Sequence, residues 1–385
     1  MMWFKTTIVF ISLFIPCCLS AQTTLWKNLP IDSLKDLTDI INHIRHKDSR
    51  KEIEERNKHH IQIGVFPAIG YTLQTGFAVV VSANAVIYKK HRSAKDSTSL
   101  PSTISTSISY SQKSQVIVPF QSTLYFNNNR TILIIDYRYL KYPSYTYGLG
   151  MNTTPQDSTL LSYQYFKFHQ AVLFQVHPHV YIGAGYVLDY FWNVRQVHDE
   201  QKPSDFQTYG SGPTSFSSGV TLNFILAPRL QFLGSNANWT SMLLEYRKYI
   251  RFPASSPNIL ALWSYNWLTL GGKPPYLMLP STAWDKTFNT GRGYIQGRFR
   301  SNNMLDAEAE YRIQLTRNGL LGMVVFTNFE SFSDINTWRF GSPAPAGGLG
   351  LRIKLNKYSR TNISIDYGFG RQGSRGFFVN LGEAF

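Results

Sequence analysis

Between residues 283 and 315 the chain reads Thr290-Gly291-Arg292-Gly293-Tyr294, then Arg298-Phe299-Arg300, then Asp306-Ala307-Glu308-Ala309-Glu310-Tyr311-Arg312-Ile313-Gln314-Leu315. In the last run Leu305, Ala307, Ala309, Tyr311, Ile313 and Leu315 share one face of a strand. Asp306, Glu308, Glu310, Arg312 and Gln314 share the other. A soluble sheet does not pack a row of charges onto its core. A wall with lipid outside and a polar lumen inside accepts this period-2 pattern.

The same stretch resembles the signature of the BamA/TamA-type outer-membrane assembly barrels, the bacterial surface antigen family. In that family an extracellular loop folds back into the barrel and presents an Arg-Gly-aromatic tip, followed by a strand with acidic lumen residues. The resemblance places the tip at Gly291, Arg292, Gly293 and Tyr294 and the strand motif at Glu310-Tyr311-Arg312. It also implies that polar residues on the following strands hold the tip Arg, with Glu308, Glu310, Asn328 and Glu330 as candidates. The family's Phe-x-Asp-x-Gly is here Phe326-Thr327-Asn328-Phe329-Glu330, so Asn328 stands for the Asp and Glu330 for the Gly.

Residues 1–21 carry one early cation, Lys5, an apolar run over 8–16 and the small pair Ser20-Ala21. That pattern predicts a secretory signal peptide, too short to span a bilayer as a helix. Cys17 and Cys18 are the only cysteines, and Pro16 occupies the place where a lipid-modified Cys17 needs a small residue. Cleavage after Ala21 leaves a chain without thiol chemistry.

Aromatic residues make up 15%, with 23 Tyr and 26 Phe, yet mean hydropathy is only −0.19. Lipid-facing and lumen-facing residues average out in this way in a barrel. A secreted β-sandwich or propeller is the alternative, and the apolar faces here have no matching second layer. The net charge of +15 suits a basic lumen or anionic lipid headgroups. Its Lys and Arg form no compact aromatic-interleaved patch, which argues against nucleic acid.

Residues 22–60 are the pre-barrel segment. Asp32 or Ser33 reads as an N-cap, and Leu34, Leu37, Ile40, Ile41 and Ile44 form one helical stripe, a periplasmic amphipathic helix. The segment is too short for a POTRA domain, the periplasmic module usual in the family.

From residue 61 to 385 the pattern is strand after strand, and an even count is required for a closed single-chain barrel; the expectation is about sixteen. Tyr145-Thr146-Tyr147-Gly148-Leu149-Gly150 resembles the Gly-x-Gly site that follows the family's early strands. Pro274, Pro275 and Pro280 keep the long loop before the tip from pairing as a strand. His177-Pro178-His179 reads as a periplasmic turn in preference to a metal site, since no third ligand accompanies it. No cofactor, metal or nucleophile motif is expected, and the chain does not read as an enzyme. The closing strand Phe377-Phe378-Val379-Asn380-Leu381-Gly382-Glu383-Ala384-Phe385 ends on an aromatic. Phe377, Val379, Leu381, Gly382 and Phe385 are expected to form the C-terminal signal read by the barrel-insertion machinery.

The fold expected is therefore an all-β, multi-pass transmembrane antiparallel barrel in the outer membrane of a Gram-negative bacterium. The resemblance implies help with inserting or moving protein or lipid there, through the seam between the first and last strands. The alternative is a passive pore or structural barrel. Expected partners are outer-membrane lipids, the barrel-assembly machinery during insertion, and a periplasmic or lipoprotein partner, while the N-terminal helix is expected to rest on the barrel rim.

Overall fold

The computed structural model describes residues 34–37, 39–40, 61–88, 100–177, 180–197, 204–210, 212–222, 226–356 and 361–385. The expected signal peptide and most of the 22–60 helix lie outside the described residues. From that helix, residues 37, 39 and 40 are helical, and Lys35 N donates to Asn318 O (2.9 Å) at the turn before residue 320.

The first strands are β1 (Ile61–Thr72), β2 (Gly76–Ile87), β3 (Ser102–Ser111), β4 (Val116–Phe126), β5 (Thr131–Lys141) and β6 (Ser144–Thr146). Next come β7 (Thr159–His177), β8 (Val180–Val197), β9 (Ser215–Leu222), β10 (Leu226–Arg229), β11 (Trp239–Arg251) and β12 (Ile259–Gly272). The last five are β13 (Asn303–Gln314), β14 (Leu321–Phe332), β15 (Ala344–Asn356), β16 (Thr361–Gly370) and β17 (Arg375–Leu381). All belong to one 17-stranded sheet, paired antiparallel between neighbours.

β6 does not add a position to the wall. β5 pairs with β7 from Thr131↔Phe174 to Lys141↔Gln164, and β6 continues the same edge from Ser144↔Leu161 to Thr146↔Thr159. The seventeen strands therefore make sixteen staves. The pattern over residues 218–226 reads as one strand, whereas the structure holds the hairpin β9–β10, joined by Leu226↔Leu222 and Arg229↔Gly219. β10 is four residues long and contains Pro228, which hides the alternation in so short a piece.

Alternation sets which way each side chain points. Ile61, Ile63, Val65 and Ile69 of β1, and Phe77, Val79 and Val81 of β2, are exposed on the outer surface. On β13 the opposite parity, Asp306, Glu308 and Glu310, is buried in the interior. In water the outer band would be a large apolar liability; in a bilayer it is the solvated surface.

The two ends of the sheet meet at one register pair, Tyr71↔Val379 between β1 and β17. By contrast, β1 and β2 pair along all of β1, from Ile61↔Ile87 to Thr72↔Gly76. After Leu381 the chain leaves the wall: Gly382 has φ +105°, a left-handed conformation natural to glycine. This turn sends Glu383, Ala384 and Phe385 inward.

Candidate functional site: the loop plug and its arginine cluster

The loop over residues 273–302 folds into the lumen and is buried almost throughout. Asp285 organises its turn. One carboxylate oxygen accepts from Asn289 N (2.8 Å), Thr290 N (2.8 Å) and Thr290 Oγ1 (3.1 Å), the other from Thr287 N (2.8 Å) and Thr287 Oγ1 (2.7 Å). The loop then doubles back through Gly297 N to Thr282 O (3.0 Å) and Thr282 N to Phe299 O (3.0 Å). Its entry, Tyr276 to Leu279, packs with Tyr142, Leu161 and Phe191 on the β5–β8 wall. The lumen is thus filled on that side by an aromatic core.

The tip turns toward the opposite wall. Gly291 (φ +67°) lies against Glu330, whose carboxylate would be 2.5 Å from any added Cβ. Gly293 (φ +111°) backs onto Ala346 and Phe369, where a Cβ would sit 2.9 Å from Ala346 Cβ. Each glycine is required both by its dihedral and by the space. Tyr294 OH donates to Pro345 O (2.6 Å) and accepts from Arg371 N (3.0 Å), and Ser374 Oγ donates to Gly293 O (2.7 Å).

Arg292 is 1% exposed. Its Nη2 contacts both Glu308 and Glu310, and its Nη1 donates to Asp366 Oδ2 (2.7 Å). The guanidinium carbon lies 4.0 Å from the ring centre of Phe326. A planar five-donor fork suits this arrangement: two carboxylates on β13, one on β16 and an aromatic face on β14.

The cluster extends further. Arg312 Nε donates to Glu310 Oε1 (2.6 Å). Arg352 on β15 contacts Asp366 and donates from Nε to Glu383 Oε2 (2.7 Å). Phe385 lies inside, 7% exposed, its ring 5.1 Å from that of Trp263, with Arg312 Nη2 donating to its carbonyl (2.9 Å). Loop and tail also touch directly, through Asn289 Nδ2 to Ala384 O (3.1 Å).

The sequence-predicted partners therefore divide. Glu308 and Glu310 bond the Arg292 side chain. Asn328 holds the Arg292 backbone instead, donating from Nδ2 to its carbonyl (2.8 Å). Glu330 is not a partner of Arg292; it accepts from Thr282 Oγ1 (2.8 Å) and supports the loop beneath Gly291. Asp306, directly across from Glu330 in the register, is 1% exposed and has no protein donor on either carboxylate oxygen.

The expected C-terminal signal divides likewise. Phe377 points outward on β17, 52% exposed, and Val379 holds the seam to Tyr71. Leu381 ends the strand and Gly382 makes the turn. Phe385 does not close the strand on the lipid side, as the alternation suggests; the Gly382 turn puts it in the lumen.

Asp366, Arg352 and Asp285 carry no sequence motif, and Phe326 lies in the Phe-x-Asp-x-Gly-like segment, which assigns its ring no partner. Asp366 and Arg352 fall on polar faces of alternating strands, a signal of lumen position but not of partners. Asp285 followed by Thr287, Asn289 and Thr290 carries the composition of an Asx-type turn.

Other polar groups serve the scaffold. His169 Nε2 lies 2.9 Å from Asp189, which also meets Arg229 (3.0 Å) and the Tyr165 hydroxyl (2.6 Å). Among the described residues no group of three His, Cys, Asp or Glu is arranged to hold a metal ion. The Gly-x-Gly segment bridges the loop and the short helix Asp205–Tyr209, with Gly150 N donating to Arg300 O (2.8 Å) and Leu149 N to Asp205 Oδ2 (2.6 Å).

No family model and no curated protein matches the sequence. Solved structures do match the fold. BamA from Haemophilus ducreyi lacking POTRA domains 1–3 superposes with a TM-score of 0.50 at 12% identity, over 84% of this chain and 70% of that one. CdiB from Acinetobacter baumannii gives 0.51 at 11% identity, over 84% of this chain and 60% of CdiB, so this chain spans less than two thirds of that protein. Identity this low carries architecture alone. The chain folds as an outer-membrane-type β-barrel of the BamA and CdiB kind.

Proposed function

We propose that this barrel assists the insertion or passage of protein or lipid at the outer membrane, acting through the seam between β1 and β17. The observation that carries the reading is the asymmetry of β1. One edge is paired along its length with β2, whereas among the described residues the other meets β17 at the single register pair Tyr71↔Val379. Inward turning of residues 382–385 removes the segment that would extend this pairing. An unsaturated strand edge beside lipid offers main-chain donors and acceptors to an incoming strand, the physics of β-augmentation.

The filled lumen weighs against a passive pore. The loop occupies it with the aromatic core on one wall and the Arg292 cluster on the other. The barrel and its apolar outer band support an outer-membrane location.

A reversible lock tests the reading. Tyr71→Cys with Val379→Cys places thiols at the seam of a protein reconstituted into proteoliposomes. Folding of an added urea-denatured outer-membrane barrel and transbilayer movement of a fluorescent lipid are then followed. Acceleration of either process by the reduced protein, its loss on oxidation and its return on reduction are expected. Equal rates in both redox states, or no acceleration over empty liposomes, would overturn the proposal.

A further inference from the structure

We propose that the outer rim formed by the β14–β15 and β16–β17 turns binds the phosphorylated headgroup of an outer-leaflet glycolipid. This inference needs the barrel to sit in the membrane but does not depend on the seam reading.

The outer face beneath these turns carries exposed aromatic rings near the strand ends. Phe329 on β14, Phe369 on β16 and Phe377 on β17 are 51%, 55% and 52% exposed. In the register they form a stagger of two residues per strand: Phe329 opposes Pro345, Gly347 opposes Phe369, and Tyr367 opposes Phe377. Aromatics on the outer surface near strand ends mark the boundary between acyl chains and headgroups.

Directly above these rings the surface becomes basic. Arg375 opposes Phe369 in the register, so it shares the outward face at the extracellular end of β17. Arg371 and Arg339 are exposed in the adjoining turns. Arg371 joins the two turns physically, its Nη1 donating to Pro343 O (3.2 Å). Asp334 is the acid of these turns, and its Oδ1 is engaged by Asn336 N (3.0 Å) and Thr337 N (2.7 Å). Those same hydrogen bonds hold its carboxyl below the usual carboxylate range. It organises the turn and does not pair with the arginines.

The β14–β15 turn is also built to hold out two rings. Trp338 has φ +60°, rare for a bulky side chain, and is fixed by Trp338 N to Asp334 O (3.0 Å) and Asp334 N to Arg339 O (2.8 Å). Trp338 and Phe340 flank Arg339 and stay 41% and 43% exposed. A guanidinium between exposed aromatics, above rings facing acyl chains, matches a lipid that presents phosphate and hydrocarbon together. Soluble phosphate would use the arginines and leave the rings unexplained.

The test uses the full chain purified in a neutral detergent, with binding read by native mass spectrometry. Bisphosphorylated lipid A is titrated against its dephosphorylated form and against inorganic pyrophosphate. Wild type is expected to retain the bisphosphorylated lipid selectively. Arg339→Gln with Arg375→Gln should weaken this binding about tenfold or more, the scale of losing one or two charge-assisted bonds. Trp338→Ala with Phe340→Ala should weaken it as well, and heat-modifiable migration confirms that each variant is folded. Single Arg339→Gln on the exposed turn serves if the pair does not fold. Unchanged binding in the folded variants, equal retention of the dephosphorylated lipid, or full competition by pyrophosphate would overturn the proposal.

Discussion

Arg352 Nε donates to Glu383 Oε2 across 2.7 Å, joining the β15 wall to the tail that follows β17. Because Arg352 also contacts Asp366, which accepts from Arg292 across 2.7 Å, the loop tip and the seam strand's tail belong to one charge network. Whatever loosens one end of this network reaches the other through two guanidiniums and one shared carboxylate.

Arg292→Ala should leave an inserted, heat-modifiable barrel whose loop is no longer held. Breaking a buried ion cluster by removing one partner costs about 3–5 kcal/mol, because the carboxylates are stranded. Arg292→Lys should rescue little, since one ammonium does not span Glu308, Glu310 and Asp366. External trypsin acting at Lys273 or Lys286 is the readout; wild-type-like resistance in Arg292→Ala would remove the latch.

Asn328→Asp restores the residue type of the family motif, yet it should weaken the plug. Asn328 Nδ2 donates to the Arg292 carbonyl (2.8 Å), and a carboxylate there would face an acceptor and oppose Glu308 in the register. The expected loss is about 1–3 kcal/mol, the cost of an unsatisfied buried group. It would appear as a lower temperature for the heat-modification shift. An unchanged or raised temperature would show that the carboxylate finds Arg292 itself.

Asp306→Asn should stabilise the barrel. The wild-type side chain is buried, has no protein donor on either oxygen, and opposes Glu330 across the β13–β14 pair. An amide is cheaper to bury than a carboxylate and can donate to its acidic neighbour, so a gain of at least about 1 kcal/mol is expected. A lower heat-modification temperature would contradict this account.

Glu383→Gln should free the tail from the lumen. Continuing the antiparallel Tyr71↔Val379 register sets Ala384 opposite Phe66 when the tail is extended. The Phe66→Cys/Ala384→Cys pair should crosslink poorly in an otherwise wild-type chain and more completely with Glu383→Gln. Equal yields would mean that Glu383 does not hold the tail inward.

The sequence by itself determined the architecture. Strands whose neighbours alternate between apolar and charged admit one arrangement, lipid on one side and lumen on the other, and β13 shows it in twelve residues. The tip was legible too, through the resemblance of Gly291, Arg292, Gly293 and Tyr294 and the strand after them to the family signature. Which carboxylates meet Arg292 was decided only in three dimensions. Glu308 and Glu310 are near in sequence, but Asp366 arrives through the register of β14, β15 and β16, which no local pattern specifies. The fate of Phe385 was likewise tertiary: alternation assigns it to the lipid face, while one glycine turn and the arginines beyond it draw it inside. Period-2 patterning fixes the face a residue takes while the strand lasts, and it carries no information about where a strand stops or what waits across the lumen.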